Sequence, residues 1–440
     1  MQRHSRSTFG RRLVGMVAVG ALVLGACGGD DDDDADSDTT EAPADEPSDE
    51  PAEEPAEEPS EEPAEEPADD ATETTEGSET TEPMESSLPA GEYKVGFQSL
   101  TSGPAAFAGV PLAQGARLAV KEINDNALLG EGVTIELLEE DAGGDPASAI
   151  GHIESFLNDD VSAALCCALS SVAGSVKPIL ADNQTAGIVT SAILPGLNEP
   201  PYMYRPVLLL GDPAYGEMVA GLNADGSLAS ATIVVTADND GMVNEGVVWE
   251  AAFADNGVEV LGTIDTATGD TDFSGPATQI IDQNPDVVAL SQLGQEATLM
   301  AKALRDRGYE GQLVTTYGIS NEANYEIGGE TLEGIIFPVA FTPQMTDPAA
   351  VAFTELYEAE YGEVPDVFAA QGYTAIKMVA EGLAIAGDGD SDAVAQAMAT
   401  ITEMSSPYGD IVFENGQASL AGETTFMQWN ADGTQSIWTP

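Results

Sequence analysis

"YKVGFQSLTSGPAAFAGVPLAQGARLAVKEIND", residues 93–125, sets out the grammar of the whole fold. The first eight residues read as a short strand, and from residue 109 onward Leu112, Ala116, Ala119, Val120 and Ile123 fall on one stripe at helical spacing. Between them lies a loop of small and polar residues. The same alternation follows in "VTIELLEED", "DPASAIGHIESFLND", "VSAALCCA", "SVAGSVKPILADN" and "GIVTS". After "YMYRPVLLLGDPAYG" it restarts as helix 213–225, strand 231–237, helix 244–257, strand 258–264, helix 272–283, strand 286–292, helix 296–308 and strand 311–317. Strands alternating with helices require crossover connections, hence parallel sheets covered on both faces. The expected class is α/β, built as two Rossmann-like lobes. Two further helices, "AAVAFTELYEAEYG" and "DVFAAQGYTAIKMVAEGLAIAG", precede an expected β-hairpin over residues 409–438.

Charge narrows the function classes. The chain carries 77 acids against 13 Lys and Arg, a formal charge of -64. Residues 30–86 hold 27 of those acids and neither Lys nor Arg, and the remainder of the chain is strongly acidic as well. A polyanionic partner is repelled, so no nucleic-acid binding is expected. Residues 28–89, with "PAEEPAEEPSEEPAEEPADD" at their centre, offer almost nothing to bury and read as a disordered, extended tether.

Ahead of the tether, Arg3, Arg6, Arg11 and Arg12 precede an apolar run over residues 13–26. That is the layout of a secretory signal. Fourteen residues rising ~1.5 Å each fall short of a ~30 Å hydrocarbon core, so a permanent span is not expected. "LGAC" at residues 24–27 resembles the lipobox of bacterial lipoproteins, which implies that residues 1–26 are removed and that Cys27 takes a lipid. The expected location is the extracytoplasmic face of a cell membrane. The adjacent Cys166 and Cys167, inside an apolar run, read as buried small hydrophobes in preference to a vicinal disulfide or redox pair.

Several segments in order, "SLTSGPAAFAGVPLAQGARLAVKEIN", "LEEDAGGDPASAI", "LSSVAGSVKPILAD", "YRPVLLLGDPAYG", "DFSGPATQI" and "AAQGYTAIKM", resemble the solute-binding proteins of branched-chain amino acid ABC transporters. The resemblance implies a type I periplasmic binding fold over residues 91–440. Its first lobe would hold about residues 91–208 and 341–405, and its second about 212–338 and 408–440. Three hinge crossings would lie near residues 207–211, 338–341 and 405–407. It further implies a monomer that closes on a small solute, an amino acid, amide or relative, and delivers it to ABC permease subunits. A sensor reporting occupancy to a membrane signalling partner is the alternative, and a hydrolase the least supported. No cofactor or metal is implied.

The resemblance also implies a ligand set. Ser170 and Ser171 stand at the family's serine motif, and Ser191 and Ala192 in its second loop, where Ile193 replaces the usual threonine. In the second lobe Asp240 stands where a tyrosine is usual, and Tyr317 where an acid is. Asp240 is open to two readings, a ligand for a cationic or amide group or a turn or cap aspartate. Phe107 and Ala108, after "SGP", and Leu293, after the strand at 286–292, complete the set; Phe107 reads equally as core. Gln371 and Tyr373 face the cleft or pack the helix, with packing preferred, and Arg205 reads as structural.

Enzyme signatures are thin. His152 is the one histidine beyond the leader, there is no GxSxG elbow, and no GxxxxGK[ST] loop is present. "DGDSD" at Asp388, Asp390 and Asp392 lacks the glycine and closing glutamate of a calcium loop, and reads as a loop and helix cap.

Overall fold

The computed structural model describes residues 84, 86–420 and 424–440. The basic leader, Cys27 and the acidic tract, read above as signal, lipid site and tether, lie outside the described residues.

The first half runs β1 (Gly91–Ser99), α1 (Ala106–Asp125), β2 (Val133–Asp141), α2 (Pro146–Asn158), β3 (Ala163–Cys166), α3 (Ser170–Asp182), β4 (Ala186–Val189) and β5 (Met203–Tyr204). These strands form one sheet in the order β2-β1-β3-β4-β5, parallel throughout. The second half repeats the plan with α4 (Ala214–Leu222), β6 (Ser230–Thr236), α5 (Asp240–Asp255), β7 (Glu259–Thr266), α6 (Ser274–Gln283), β8 (Val287–Ser291), α7 (Gly294–Arg305), β9 (Gln312–Thr315), α8 (Glu322–Gly328) and β10 (Ile336–Val339). Its parallel strands run β7-β6-β8-β9-β10, the same order as the first sheet.

Strand side chains alternate between two cores, as a pleat requires. Val95, Phe97, Leu165 and Ile188 bury against α1 on one face of the first sheet, while Ala164, Cys166 and Val189 bury with α2 and α3 on the other. The second sheet divides likewise. Val288, Leu290 and Leu313 face α6 and α7, and Ile233, Val235 and Ala289 face α4 and α5.

The chain then leaves the second sheet as α9 (Pro348–Tyr361), α10 (Val367–Ala386) and α11 (Ser391–Met398). Helix α10 packs along α1, and α11 packs on β3 and β4, so this stretch returns to the first lobe. Asp390 accepts from the backbone N–H of Ala393 at 3.0 Å, the capping role read from "DGDSD".

The C-terminal stretch differs from the single hairpin expected over residues 409–438. It holds two, because the sequence carries two turns, "NG" at 415–416 and "NADG" at 430–433. Asn415 and Gly416 both take positive φ, as a two-residue hairpin turn demands. β11 (Glu403–Ser406), β12 (Gly409–Glu414) and β13 (Gln417–Leu420) form a small antiparallel sheet, whereas β14 (Thr425–Trp429) and β15 (Gln435–Trp438) add antiparallel strands beside β10. The chain therefore joins the second sheet at β14, beyond the 405–407 crossing inferred from sequence.

Helices α1 and α10 approach so closely that backbone meets backbone. A Cβ on Gly115 would sit 1.9 Å from the carbonyl oxygen of Ala369, and one on Gly372 would sit 2.0 Å from that of Leu112. Their N-terminal ends therefore face each other, and Phe107 meets Phe368 edge-on at 5.9 Å. Gly372→Ala should lose about 1–3 kcal/mol of stability to overpacking, despite alanine's intrinsic helical advantage of up to ~1 kcal/mol. Urea denaturation checks this, and an unchanged or higher midpoint would refute the contact.

Candidate ligand-binding site

In each sheet the strand order reverses between two neighbours, β1 and β3 in the first, β6 and β8 in the second. Loops leaving such a pair diverge and open a crevice beyond the carboxyl ends of the strands. Here the two crevices face each other across a cavity of about 590 Å³, part of it open to solvent. The first lobe contributes Phe107 and Ala108 from the start of α1, Ser170 from α3, and Ser191 and Ala192 from the loop after β4. Across the cavity stand Asn239, Met242, Gln292, Leu293 and Tyr317, and Phe368 of α10 closes one side.

The lobes touch around this cavity. Tyr317 Oη donates to the carbonyl of Ser191 at 3.1 Å and lies 3.4 Å from that residue's hydroxyl. Asn321 Nδ2 donates to Asp366 Oδ2 at 2.7 Å. Burial pushes the Asp366 carboxyl up to about 6, although it also caps α10 by accepting from Ala369 N–H at 2.9 Å. A second, larger cavity of about 1960 Å³ lies on the far side of Phe107, which lines both.

Seven of the nine expected ligand residues therefore gather in one place: Phe107, Ala108, Ser170, Ser191, Ala192, Leu293 and Tyr317. Two stand elsewhere. Ser171 is exposed on the outer side of α3, where its carbonyl takes the Ser175 hydroxyl at 2.9 Å. Asp240 is exposed too, because its neighbour Asn239 caps α5, accepting from Gly241 N–H at 3.0 Å and Met242 N–H at 3.2 Å. Capping turns Asn239 into the cavity and the first helical residue out to solvent. Gln371, buried in α10, is a hydrogen-bond partner of Tyr317 and stands behind the wall, while Tyr373 donates to Glu122 at 2.5 Å, away from it.

Cys166 and Cys167 correct the sequence reading. Both are buried as expected, yet they are joined by a disulfide at the end of β3. Cys167 takes φ of 76°, and the chain reaches Ser170 three residues later.

Fixed charge near the cavity is mostly positive. Leu169 and Leu293 stand at the N-caps of α3 and α7, line the wall and offer no side-chain oxygen to cap those helices, while Glu296 in the first turn of α7 accepts from the Leu293 N–H. Behind the Ser191 loop, the buried Arg205 donates to the carbonyls of Leu194 at 2.7 Å and Ala192 at 3.3 Å, and pairs with Gln417. It forms no ion pair among the described residues. Burial lowers its guanidinium to about 10, so it stays charged at neutral pH. Among the described residues no charged side chain lines the cavity itself. Ser170 Oγ accepts from Leu194 N–H at 3.2 Å, which frees its proton for a ligand oxygen. The arrangement suits gripping an anion with an apolar body.

Residues 92–434 match the periplasmic binding protein family. The chain belongs to that family. Relatives include a leucine-, isoleucine-, valine-, threonine- and alanine-binding protein of Pseudomonas aeruginosa, 24% identical over 80% of this chain and 93% of its own length. Among solved structures, the branched-chain amino acid transporter substrate binding protein of Streptococcus pneumoniae, in complex with isoleucine, superposes with a TM-score of 0.71 at 22% identity, covering 80% of this chain and 100% of that one. An ABC transporter solute binding protein of R. palustris in complex with benzoate gives 0.69 at 21% identity, covering 79% and 95%. The family member described here is a solute-binding protein and not an enzyme. Among the described residues no helix is long and apolar enough to cross a membrane.

Glu245 lies one helical turn beyond Met242 on α5. Burial pushes its carboxyl up to about 7 although the Tyr215 hydroxyl bonds it. An acid whose folded pKa lies above its unfolded value leaves stability full below about pH 4.5 and costs stability as pH rises to about 7. Glu245→Gln should therefore match the parent near pH 4 and exceed it at pH 8, by up to roughly 3 kcal/mol. Melting curves at the two pH values test this; a variant that is no more stable at pH 8 would refute it.

Proposed function

We propose that this periplasmic binding protein captures a small carboxylate-bearing solute between its lobes and delivers it to the permease of an ABC importer. Part of the proposal is that lipid on Cys27 holds it at the extracytoplasmic face, with residues 28–89 as the tether. The observation that carries the reading is the cavity enclosed by two facing strand-order reversals, with Ser170 and Ser191 on one side and Tyr317 reaching across from the other. Only the closed arrangement lets a solute meet both lobes, so solute binding shifts the population toward closure. The names of the relatives, binders of aliphatic amino acids and of benzoate, support a small solute with a carboxylate and an apolar part.

Ser170, Ser191 and Tyr317 are assigned to the polar end of the ligand, and Phe107, Ala108, Ala192 and Leu293 to its apolar body. Thermal shift with a panel of amino acids, amides and organic acids, together with mass spectrometry of any copurifying small molecule, tests capture. At 100 times the dissociation constant a true ligand adds about 2.7 kcal/mol. Ser170→Ala should weaken that ligand's binding roughly tenfold or more, the worth of one hydrogen bond to a charged oxygen. A panel in which no small solute shifts the transition would sink the reading.

A further inference from the structure

The wall of the cavity is unsuited to an α-ammonium group. A zwitterionic amino acid needs an acceptor of negative charge on the lobe opposite its carboxylate, and the candidate acids are all engaged elsewhere. Glu296 is bound by Thr236 Oγ1 and by the N–H of Gly269, both at 2.7 Å. Glu245 is bonded to Tyr215, and Asp240 points to solvent. In their place the second lobe presents Gln292, fully buried and lining the cavity.

The neighbouring bonds fix the orientation of that amide. Thr266 Oγ1 donates its proton to the carbonyl of Val235 at 3.1 Å, so the Gln292 group facing it at 3.0 Å is the donor Nε2. Gln292 Oε1 is then left with no partner. A buried acceptor without a donor is costly, and here a ligand donor would satisfy it. Helix α7 begins two residues later, and Glu296 in its first turn accepts from the Leu293 N–H as well, so that carboxylate is committed to its own helix end. Arg205, which forms no ion pair among the described residues, adds positive charge behind the Ser191 loop.

We propose that the preferred ligand is an apolar monocarboxylate whose second polar group is neutral, a hydroxy acid, in preference to the matching α-amino acid. The inference rests on the solute-capture reading. The carboxylate takes the α3 N-terminus and the hydroxyls of Ser170 and Ser191. Phe107, Phe368 and Leu293 cover the apolar body, and the ligand's hydroxyl donates to Gln292 Oε1.

Calorimetry on the full chain with matched pairs tests the choice: leucine against 2-hydroxy-4-methylpentanoate, and phenylalanine against 3-phenyllactate. Within a pair that binds, the hydroxy acid should be at least tenfold tighter, and an amino acid of equal or greater affinity would overturn the proposal. Gln292→Glu should shift the ratio toward the amino acid by tenfold or more. Gln292→Leu, which removes the acceptor, should weaken the hydroxy acid by tenfold or more. An unchanged ratio in both variants would overturn the role of Gln292. Binding of some other solute class with neither series bound would overturn this inference alone, whereas a chain that binds no small solute would remove the capture reading beneath it.

Discussion

Backbone contact between α1 and α10 is the constraint on which the rest of the molecule depends. Gly115 and Gly372 permit it, and it joins residues more than two hundred positions apart in the chain. A helix that must pack against α1, yet follows the whole second sheet in sequence, forces the polypeptide back into the lobe it had left. The lobes are thereby linked by several passages of chain instead of one flexible linker. The same contact sets Phe107 and Phe368 face to edge at the helix ends. One packing event thus shapes both the hinge and an apolar wall of the cavity.

Arg205 belongs to the same mechanical unit. It sits just after β5, on the first passage between lobes, and its backbone pairs with the hairpin of β12 and β13 through Gly416 and Ala418. Its guanidinium meanwhile holds the carbonyls of the loop that presents Ser191 and Ala192. Geometry at the hinge and geometry of the site are therefore coupled by one side chain. The structural role read from the sequence is real, and its uncompensated charge makes it an electrostatic element as well.

The fold was legible in the sequence because alternating periodicities of two and 3.6 residues need no tertiary information. Segments such as "VTIELLEED" announce themselves, and both sheets follow from strict alternation. Long-range choices were harder to read. β10 was not named among the strands because four residues, one of them Pro338, carry too little pattern to separate a buried strand from a connection. The two C-terminal hairpins were merged because each turn is local whereas the choice of partner sheet is not. In the site, residues on loops that follow strands, Ser170, Ser191 and Tyr317 among them, come together on the cavity wall. Asp240, open in the sequence to a ligand or a turn-or-cap reading, is turned to solvent, since capping by Asn239 sets the helical phase. Gln292 and Phe368 gave no local signal, being buried polar and apolar residues within ordinary element ends.

The acidity of the whole chain and the positive field of its cavity are compatible only because they act over different distances. A formal charge of -64 dominates the exterior, but at physiological ionic strength exposed charges fade over about 8 Å. Helix N-termini and a buried guanidinium act inside a low-dielectric interior, where screening by salt is weak. A uniformly acidic exterior offers an anionic solute no long-range steering. Selectivity in the proposed site then rests on the last few ångströms, where hydroxyls line one side of the cavity and the neutral amide of Gln292 the other. The charge sum of a sequence describes how a protein meets its solvent; the caps left empty at Leu169 and Leu293 describe how this one meets its ligand.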